Sequence, residues 1–361
     1  MDLCRNDTAE FTKWVVTAGL LQEPFVLVDV GVQDGENLRW HLLGDHLVVH
    51  GFDPVDEAID RLIVENAQKP NRHYHRLALG SCEEERVFYF NAANPTASSM
   101  YSQGVSRFEV ETTEQPRKVK VRRLDTLLAE GVIPRADFLK VDVEGFEIDV
   151  FQGAQKLLAA GVLGVEAESN FGISAVYPKS HLAAVAESLL GHGLLIFDLA
   201  FNRIPRASFQ RALEAKGLAA IVRQDRIGKP STLSVLFCRD PIQEADASEV
   251  YLAPLPPIGS DQLIKLMIIY ELHGLNDIAV DTARRFAELL GSRIDVERAI
   301  ALLADPSCRD GAFDTSLEQR IRDFEQSTSW RVTAPLRGLK RTFEMLVGSG
   351  AAAPNERSRK A

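Results

Sequence analysis

Apolar residues in this chain fall in short runs that stop at an acid or a glycine, and between these runs apolar positions recur at helical intervals. Residues 25–31 (FVLVDVG) close in Asp29 and Gly31, residues 47–53 (LVVHGFD) close in Asp53, and residues 137–145 (DFLKVDVEG) close in Asp142 and Glu144. Their β-branched and aromatic content predicts buried strands. Further strands are predicted over 73–79, 86–92, 162–170, 193–199 and 231–240, and over the alternating start of 118–128, which runs into a short helix capped by Asp125. Helical spacing is carried by Phe11, Trp14, Val15, Ala18 and Leu21 within 1–22, by Leu38, Trp40, Leu42 and Leu43, by Ala58, Leu62 and Ile63, by Phe146, Val150, Phe151 and Leu157, and by residues 180–190. Strands alternate with helices up to the last pair, which predicts an α/β doubly wound sheet with a hairpin-like closing edge.

The pattern changes after residue 240. Residues 241–259 are proline-rich without a sustained period and read as a linker. Helical spacing returns in 260–304, so 260–328 is expected to be a small helical module. From 329 to 361, Arg331, Arg337, Lys340 and Arg341 interleave with Trp330, Leu336, Leu339 and Phe343, a pattern suited to an anionic membrane surface, before an end expected to be disordered. The sheet domain is assigned to 1–240.

With 361 residues, 45% hydrophobic and 25% charged, the chain has the composition of a soluble protein of one large domain plus a smaller one. A formal net charge of -10 argues against nucleic acid as a partner, because that affinity rests on phosphate neutralisation by Lys and Arg. The four cysteines have no paired spacing, the N-terminus lacks the basic and apolar parts of a signal peptide, and no apolar run reaches the ~20 residues of a spanning helix. A cytoplasmic protein is expected, peripheral at the inner membrane face through its tail.

Candidate chemistry sits at the strand ends, where open parallel sheets bind ligands. The loop 31–37 (GVQDGEN) follows the first strand and lacks the GxGxxG of a pyrophosphate cradle, since Gly31 and Gly35 are four apart and Asp34 intervenes. An acidic loop repels phosphate but accepts a cationic, phosphate-free cofactor such as S-adenosylmethionine. Asp53, with Pro54 after it, stands at the end of the second strand, where an acid receives ribose hydroxyls; the same Asp could start the following helix. The polar run 94–104 (NPTASSMYSQG) is placed to reach over the cofactor.

These residues, from about position 25 to 238, resemble the FkbM-type family of S-adenosylmethionine-dependent methyltransferases. The likeness is carried by FLKVDVEGFEIDVFQGA with its KxDxEG core, VDVGVQDGEN, GFDP, SSM at 98–100 and RRLDTLL, in the family's order. Gln33, Asp34 and Gly35 depart from the asparagine and further glycine common in the family's first loop. The resemblance implies a class I (Rossmann-like) methyltransferase fold, α/β, with a mostly parallel seven-stranded sheet whose last strand is antiparallel. It also implies O-methylation of a sugar, glycan or related polysaccharide precursor. Cofactor contacts are expected from Asp29, Gly31, Gln33, Asp34, Gly35, Asn37, Asp53, Pro54 and Ala78, and substrate contacts from Ser98, Ser99 and Asn170.

Methyl transfer to a hydroxyl needs alignment and a proton acceptor, and Asp142 is the leading base, with Glu144 as the second catalytic acid or as a cap on the following helix. Asp142, Glu168 and Asn170 also offer oxygen ligands at neighbouring strand ends, similar to the Mg²⁺ site of catechol-type O-methyltransferases, which keeps a metal in view. A homo-oligomer is also considered. The competing readings are a catalytically inactive scaffold that recruits partners through the helical module, and a nucleotide-sugar oxidoreductase, which would need the missing GxGxxG.

Overall fold

In the computed structural model, which describes residues 9–102, 114–174, 176–204, 206, 209, 228–246 and 255–304, the apolar runs form a seven-stranded sheet. Along the chain the elements are α1 (Glu10–Thr17), β1 (Phe25–Val30), β2 (Leu47–Asp53), α2 (Asp56–Glu65), β3 (Arg72–Arg76), β4 (Ala78–Leu79), β5 (Glu84–Asn91), β6 (Glu114–Arg122) and α3 (Leu124–Ala129). Then come β7 (Phe138–Val141), α4 (Glu147–Gln152), α5 (Gln155–Ala159), β8 (Gly164–Asn170), α6 (Leu182–Leu190), β9 (Leu195–Ile204) and β10 (Lys229–Cys238). Five helices follow one another less regularly: α7 (Pro241–Asp246), α8 (Ser260–Leu272), α9 (Asn276–Arg285), α10 (Ala287–Leu290) and α11 (Val296–Leu303).

The sheet order is β3-β2-β1-β7-β8-β10-β9, parallel except for β10, which runs antiparallel to both of its neighbours. This is the class I methyltransferase arrangement expected above, and the order reverses between β1 and β7. Alternation along the strands builds two cores. Phe25, Leu27, Leu47, Val49 and Phe138 face α1 and α8, whereas Val28, Val30, Leu139, Val141 and Val165 face α4, α5 and α6 through Val150, Phe151, Leu157 and Val185.

Four local expectations are corrected. The strand expected over 73–79 is two strands: the chain turns at Leu77, whose N–H donates to the His75 carbonyl (2.9 Å), and β4 leaves the main sheet for a three-stranded one of order β4-β6-β5. The helical segment after the first loop is a 3-10 helix, Leu38–His46, started by the Asn37 side chain accepting from Arg39 N–H (3.1 Å). Asp125 does not cap its own helix; its Oδ1 accepts from Lys156 and Leu157 N–H (2.8 and 3.1 Å) and so caps α5. Within the stretch read as a linker, Pro241–Asp246 is helical.

Helix α8 is buried from Leu263 to Leu272 although it carries Lys265 and Glu271. The charges are met by distant partners. Lys265 Nζ lies 3.1 and 3.2 Å from the Asp137 carboxylate and donates to the Pro24 carbonyl (2.9 Å), while Asp137 also accepts from Val26 N–H (2.7 Å). Glu271 accepts from Phe11 and Thr12 N–H (2.9 and 2.7 Å) and so satisfies the first turn of α1. Removing one member of a buried pair strands the other charge. Lys265→Met is therefore expected to lower unfolding free energy by about 3 kcal/mol in urea titrations; a loss below about 1 kcal/mol would show that Asp137 is satisfied without it.

One compact unit, Met1–Cys308, contains every described residue, and the second, Arg309–Ala361, lies outside them, together with the basic tail expected at a membrane. Among the described residues no helix is long and apolar enough to cross a membrane.

Candidate functional site

The tips of β1 and β7 are laced together. Asp142 N–H donates to the Val30 carbonyl (2.9 Å), and Gly31 N–H to the Phe52 carbonyl at the end of β2 (2.8 Å). Gly31 has φ +87°, and a Cβ there would stand 1.9 Å from the Asp142 carbonyl oxygen, so only glycine lets the two backbones pass. Gly35 turns the loop back, donating to Val32 (2.6 Å) at φ +86°.

A cavity of about 310 Å³ opens over these tips, within the size range of small-molecule sites. Of the residues expected to bind a cofactor, Gly31, Gln33, Asp34, Gly35, Asn37, Asp53, Pro54 and Ala78 line it; Asp29 lies beneath, 1% exposed. The small sheet supplies an apolar wall through Ala78, Leu79 and Phe88, joined by Met100 and Phe146. Asp53 Oδ1 accepts from Val55 N–H (2.8 Å), and burial raises its pKa to about 6.

Asp142, Glu144, Glu168 and Ser98 also line the cavity, whereas Ser99 and Asn170 do not. Ser99 acts on the wall from behind, its hydroxyl donating to the Glu144 carbonyl (2.6 Å). Glu144 holds φ +50°, costly for a residue with a side chain. Its carboxylate accepts from the Tyr177 hydroxyl (3.3 Å), and the Tyr177 ring packs so closely under Gly145 (φ +101°) that a Cβ would lie 2.3 Å from it. Helix α4, for which Glu144 was considered above as a cap, has no side-chain cap; Glu147 in its first turn accepts instead from the loop amides of Val143 and Gly145 (3.3 and 3.1 Å) and from the Ser180 hydroxyl.

Burial raises the Glu147 pKa to about 7. An acid whose folded pKa lies above its unfolded value stabilises the fold at low pH, and that contribution disappears as pH rises through the folded value. Glutamine cannot ionise, so the stability gap between Glu147→Gln and the wild type is expected to shift toward the variant between pH 5 and pH 8. Urea unfolding at both pH values measures this, and an unchanged gap would contradict it.

Lys140 was not singled out from the sequence, yet among the described residues it is the cation that lines the site. Its Nζ lies 3.3 Å from Asp142 Oδ2 and 3.7 Å from Asp29 Oδ1. Burial works against its charge, but Asp29, Asp142 and Glu166 outweigh that and raise its pKa. Burial likewise raises Asp29 to about 6 and lifts Glu168 well above the usual carboxylate range, the charges of Asp142 and Glu144 adding to the Glu168 shift. Glu166, Asn202 and Ser234 also join the lining unforeseen; Ser234 lies opposite Glu168 in the β8–β10 register. Alternation alone could have put Lys140 on the same face as Asp142.

The Mg²⁺ set finds no support. The Asn170 carboxamide donates to the Ser180 carbonyl (3.0 Å), the Lys140 ammonium already attends Asp142, and among the described residues no group of three or more His, Cys, Asp or Glu could hold a metal ion.

No curated protein sequence matches this chain. Among solved structures it is similar to an FkbM methyltransferase from Methylobacillus flagellatus KT (14% identity, TM-score 0.35, covering 64% of this chain and 48% of that one). It is also similar to the fibrillarin of Aeropyrum pernix with natively bound S-adenosyl-L-methionine (12%, TM-score 0.31, covering 64% and 73%) and to the N-methyltransferase NodS of Bradyrhizobium japonicum WM9 (8%, TM-score 0.30, covering 64% and 94%). The chain thus spans about half the length of the Methylobacillus protein. The model of the methyltransferase FkbM domain matches residues 29–179, from the acid at the end of β1 through the KxDxEG strand to Lys179, and this part of the chain is an FkbM methyltransferase domain.

Proposed function

We propose that the protein is an S-adenosylmethionine-dependent O-methyltransferase that acts on a hydroxyl of a sugar, a glycan or a related polysaccharide precursor. The observation that carries this reading is the charge of the cavity. Among the described residues, Asp34, Asp53, Asp142, Glu144, Glu166 and Glu168 line it against one cation, Lys140. Such a lining favours a cationic ligand and disfavours the pyrophosphate of a dinucleotide. The residues suit the methyl donor: an apolar slot of Ala78, Leu79, Phe88 and Met100 for a purine, a buried acid at the end of β2 for the ribose, and a glycine-floored loop between them.

The bound donor supplies an electrophilic methyl group on a sulfonium centre. Asp142, with a side chain 44% exposed, accepts the acceptor's hydroxyl proton as the oxygen–carbon bond forms and the carbon–sulfur bond breaks. Lys140 keeps that carboxylate in place. Glu168, Asn202 and Ser234 also line the cavity and offer the hydrogen-bonding groups that a polyhydroxylated acceptor needs.

Calorimetry with S-adenosylhomocysteine and with NAD, followed by methyl transfer to a panel of neutral saccharides and of amines, tests the reading. Binding of the thioether, no binding of NAD and methylation of a saccharide oxygen are expected. NAD binding alone would overturn the donor assignment, and methylation of amines alone would overturn the acceptor assignment.

A further inference from the structure

The loop after β1 lines the cavity with Gly31, Gln33, Asp34, Gly35 and Asn37, but not with Glu36, which stands between the last two. The Glu36 carboxylate is engaged by β3 instead. Its Oε1 accepts from Arg72 Nε (2.7 Å) and its Oε2 from the Tyr74 hydroxyl (3.0 Å), while His41 Nε2 stands 3.3 Å from Oε1. Arg72 also donates through Nη1 to the Leu47 carbonyl at the start of β2 (2.7 Å). The ion pair is enclosed, with 4% of the Glu36 side chain and 5% of the Arg72 side chain exposed. Burial works against the charge of Glu36, but the hydrogen bond from Arg72 leads the interactions that outweigh it and hold the carboxyl below its usual pKa.

A satisfied buried ion pair adds little net stability over an apolar pair of similar volume. What this pair adds is position. The start of the loop is tied through its backbone, Gly31 and Val32 N–H donating to the Phe52 carbonyl (2.8 and 3.3 Å). The middle is tied by Arg61, which reaches the Gln33 carbonyl and the Asp34 carboxylate (3.4 Å). The Arg61 and Asp34 side chains are 47% and 73% exposed, so water and salt weaken that tie. Glu36 supplies a buried tie at the far end, between Gly35 in its left-handed turn and Asn37 at the start of the 3-10 helix. The Tyr74 ring meanwhile packs on the cluster of Val32, Ile59 and Leu62, so β3 holds the loop near both of its ends.

We propose that Glu36, clamped by Arg72 and Tyr74, is a positioning residue for the methyl donor, fixing the loop in the form that presents Gly35 and Asn37 to the cavity. The inference rests on the methyl-donor reading above. With the clamp broken, the donor binds only those molecules whose loop is in place, and the apparent Kd rises by the inverse of that fraction.

Calorimetry with S-adenosylhomocysteine on the full chain, beside urea unfolding, tests the clamp in three variants. Glu36→Gln and Arg72→Gln are each expected to weaken binding by about tenfold, the scale of one charge-assisted hydrogen bond, and Tyr74→Phe by about threefold, the scale of a weaker one. The two charge variants remove opposite charges. A through-space effect of charge would therefore move affinity in opposite directions, whereas loss of the clamp weakens binding in both. A role confined to holding β3 in the sheet would lower the urea midpoint and leave the affinity of the folded protein unchanged. Opposite shifts, or unchanged affinity with a lowered midpoint, would overturn the clamp. Tyr74→Phe removes one hydroxyl and no charge, so it decides alone if the charge variants do not fold: weaker binding supports the clamp and unchanged affinity overturns it. If the wild type does not bind S-adenosylhomocysteine, the donor reading fails and the clamp with it; if it binds and the variants match it, the donor reading stands without the clamp.

Discussion

Asp142→Asn is expected to lower kcat by about a thousandfold, within the range that a positioned general base contributes, while S-adenosylhomocysteine binds with nearly unchanged affinity. The substitution preserves shape and removes the capacity to accept a proton. The backbone of residue 142 still donates to Val30, and the new carboxamide oxygen can still accept from Lys140 at the observed separation of 3.3 Å. Loop geometry should therefore survive and proton transfer should not. Glu144 is the alternative acceptor, since it lines the same cavity, but its carboxylate is engaged by Tyr177 and its backbone by Ser99. Single-turnover methyl transfer measured beside calorimetry separates the two. If Asp142→Asn keeps more than about a tenth of wild-type kcat and Glu144→Gln does not, the base is Glu144.

The centre of the sheet was readable from sequence because β1, β2 and β7 each carry their own signal, a β-branched run closed by an acid or a glycine, and because helical spacing recurs between strands. What escaped has its cause far away in the chain. Lys140 looks like one polar position in an apolar strand until Asp29 and Glu166 are placed on the flanking strands. Helix α8 has clear helical spacing, but Lys265 and Glu271 are buried only because Asp137 and Thr12, 128 and 259 positions away, receive them. Glu147 shares its first turn with Asp149, so composition could not say that it, rather than Glu144, collects the loop amides. The break at Leu77 similarly depends on β6, which draws Ala78 and Leu79 into the second sheet.

Gly31→Ala should remove measurable S-adenosylhomocysteine binding and cost about 3 kcal/mol or more of stability, from left-handed strain together with a backbone clash. Either effect alone would be tolerable. A flexible side chain can move aside for a new methyl group, but here the methyl would lie 1.9 Å from the carbonyl oxygen and 2.9 Å from the carbonyl carbon of Asp142. Relief requires β1 and β7 to separate at their tips. That would break the bond from Asp142 N–H to Val30 and shift the proposed base away from the cavity. The comparison variant is Gly35→Ala, where φ is also positive, at +86°, but the nearest atom is a Leu62 methyl at 3.2 Å, the far end of a side chain. Strain is thus common to both positions, and the backbone clash belongs to Gly31 alone. Urea unfolding and calorimetry on the pair should show Gly35→Ala with a milder loss in both; equal losses would mean that the left-handed turn, and not the contact between the β1 and β7 tips, sets the requirement for glycine at position 31.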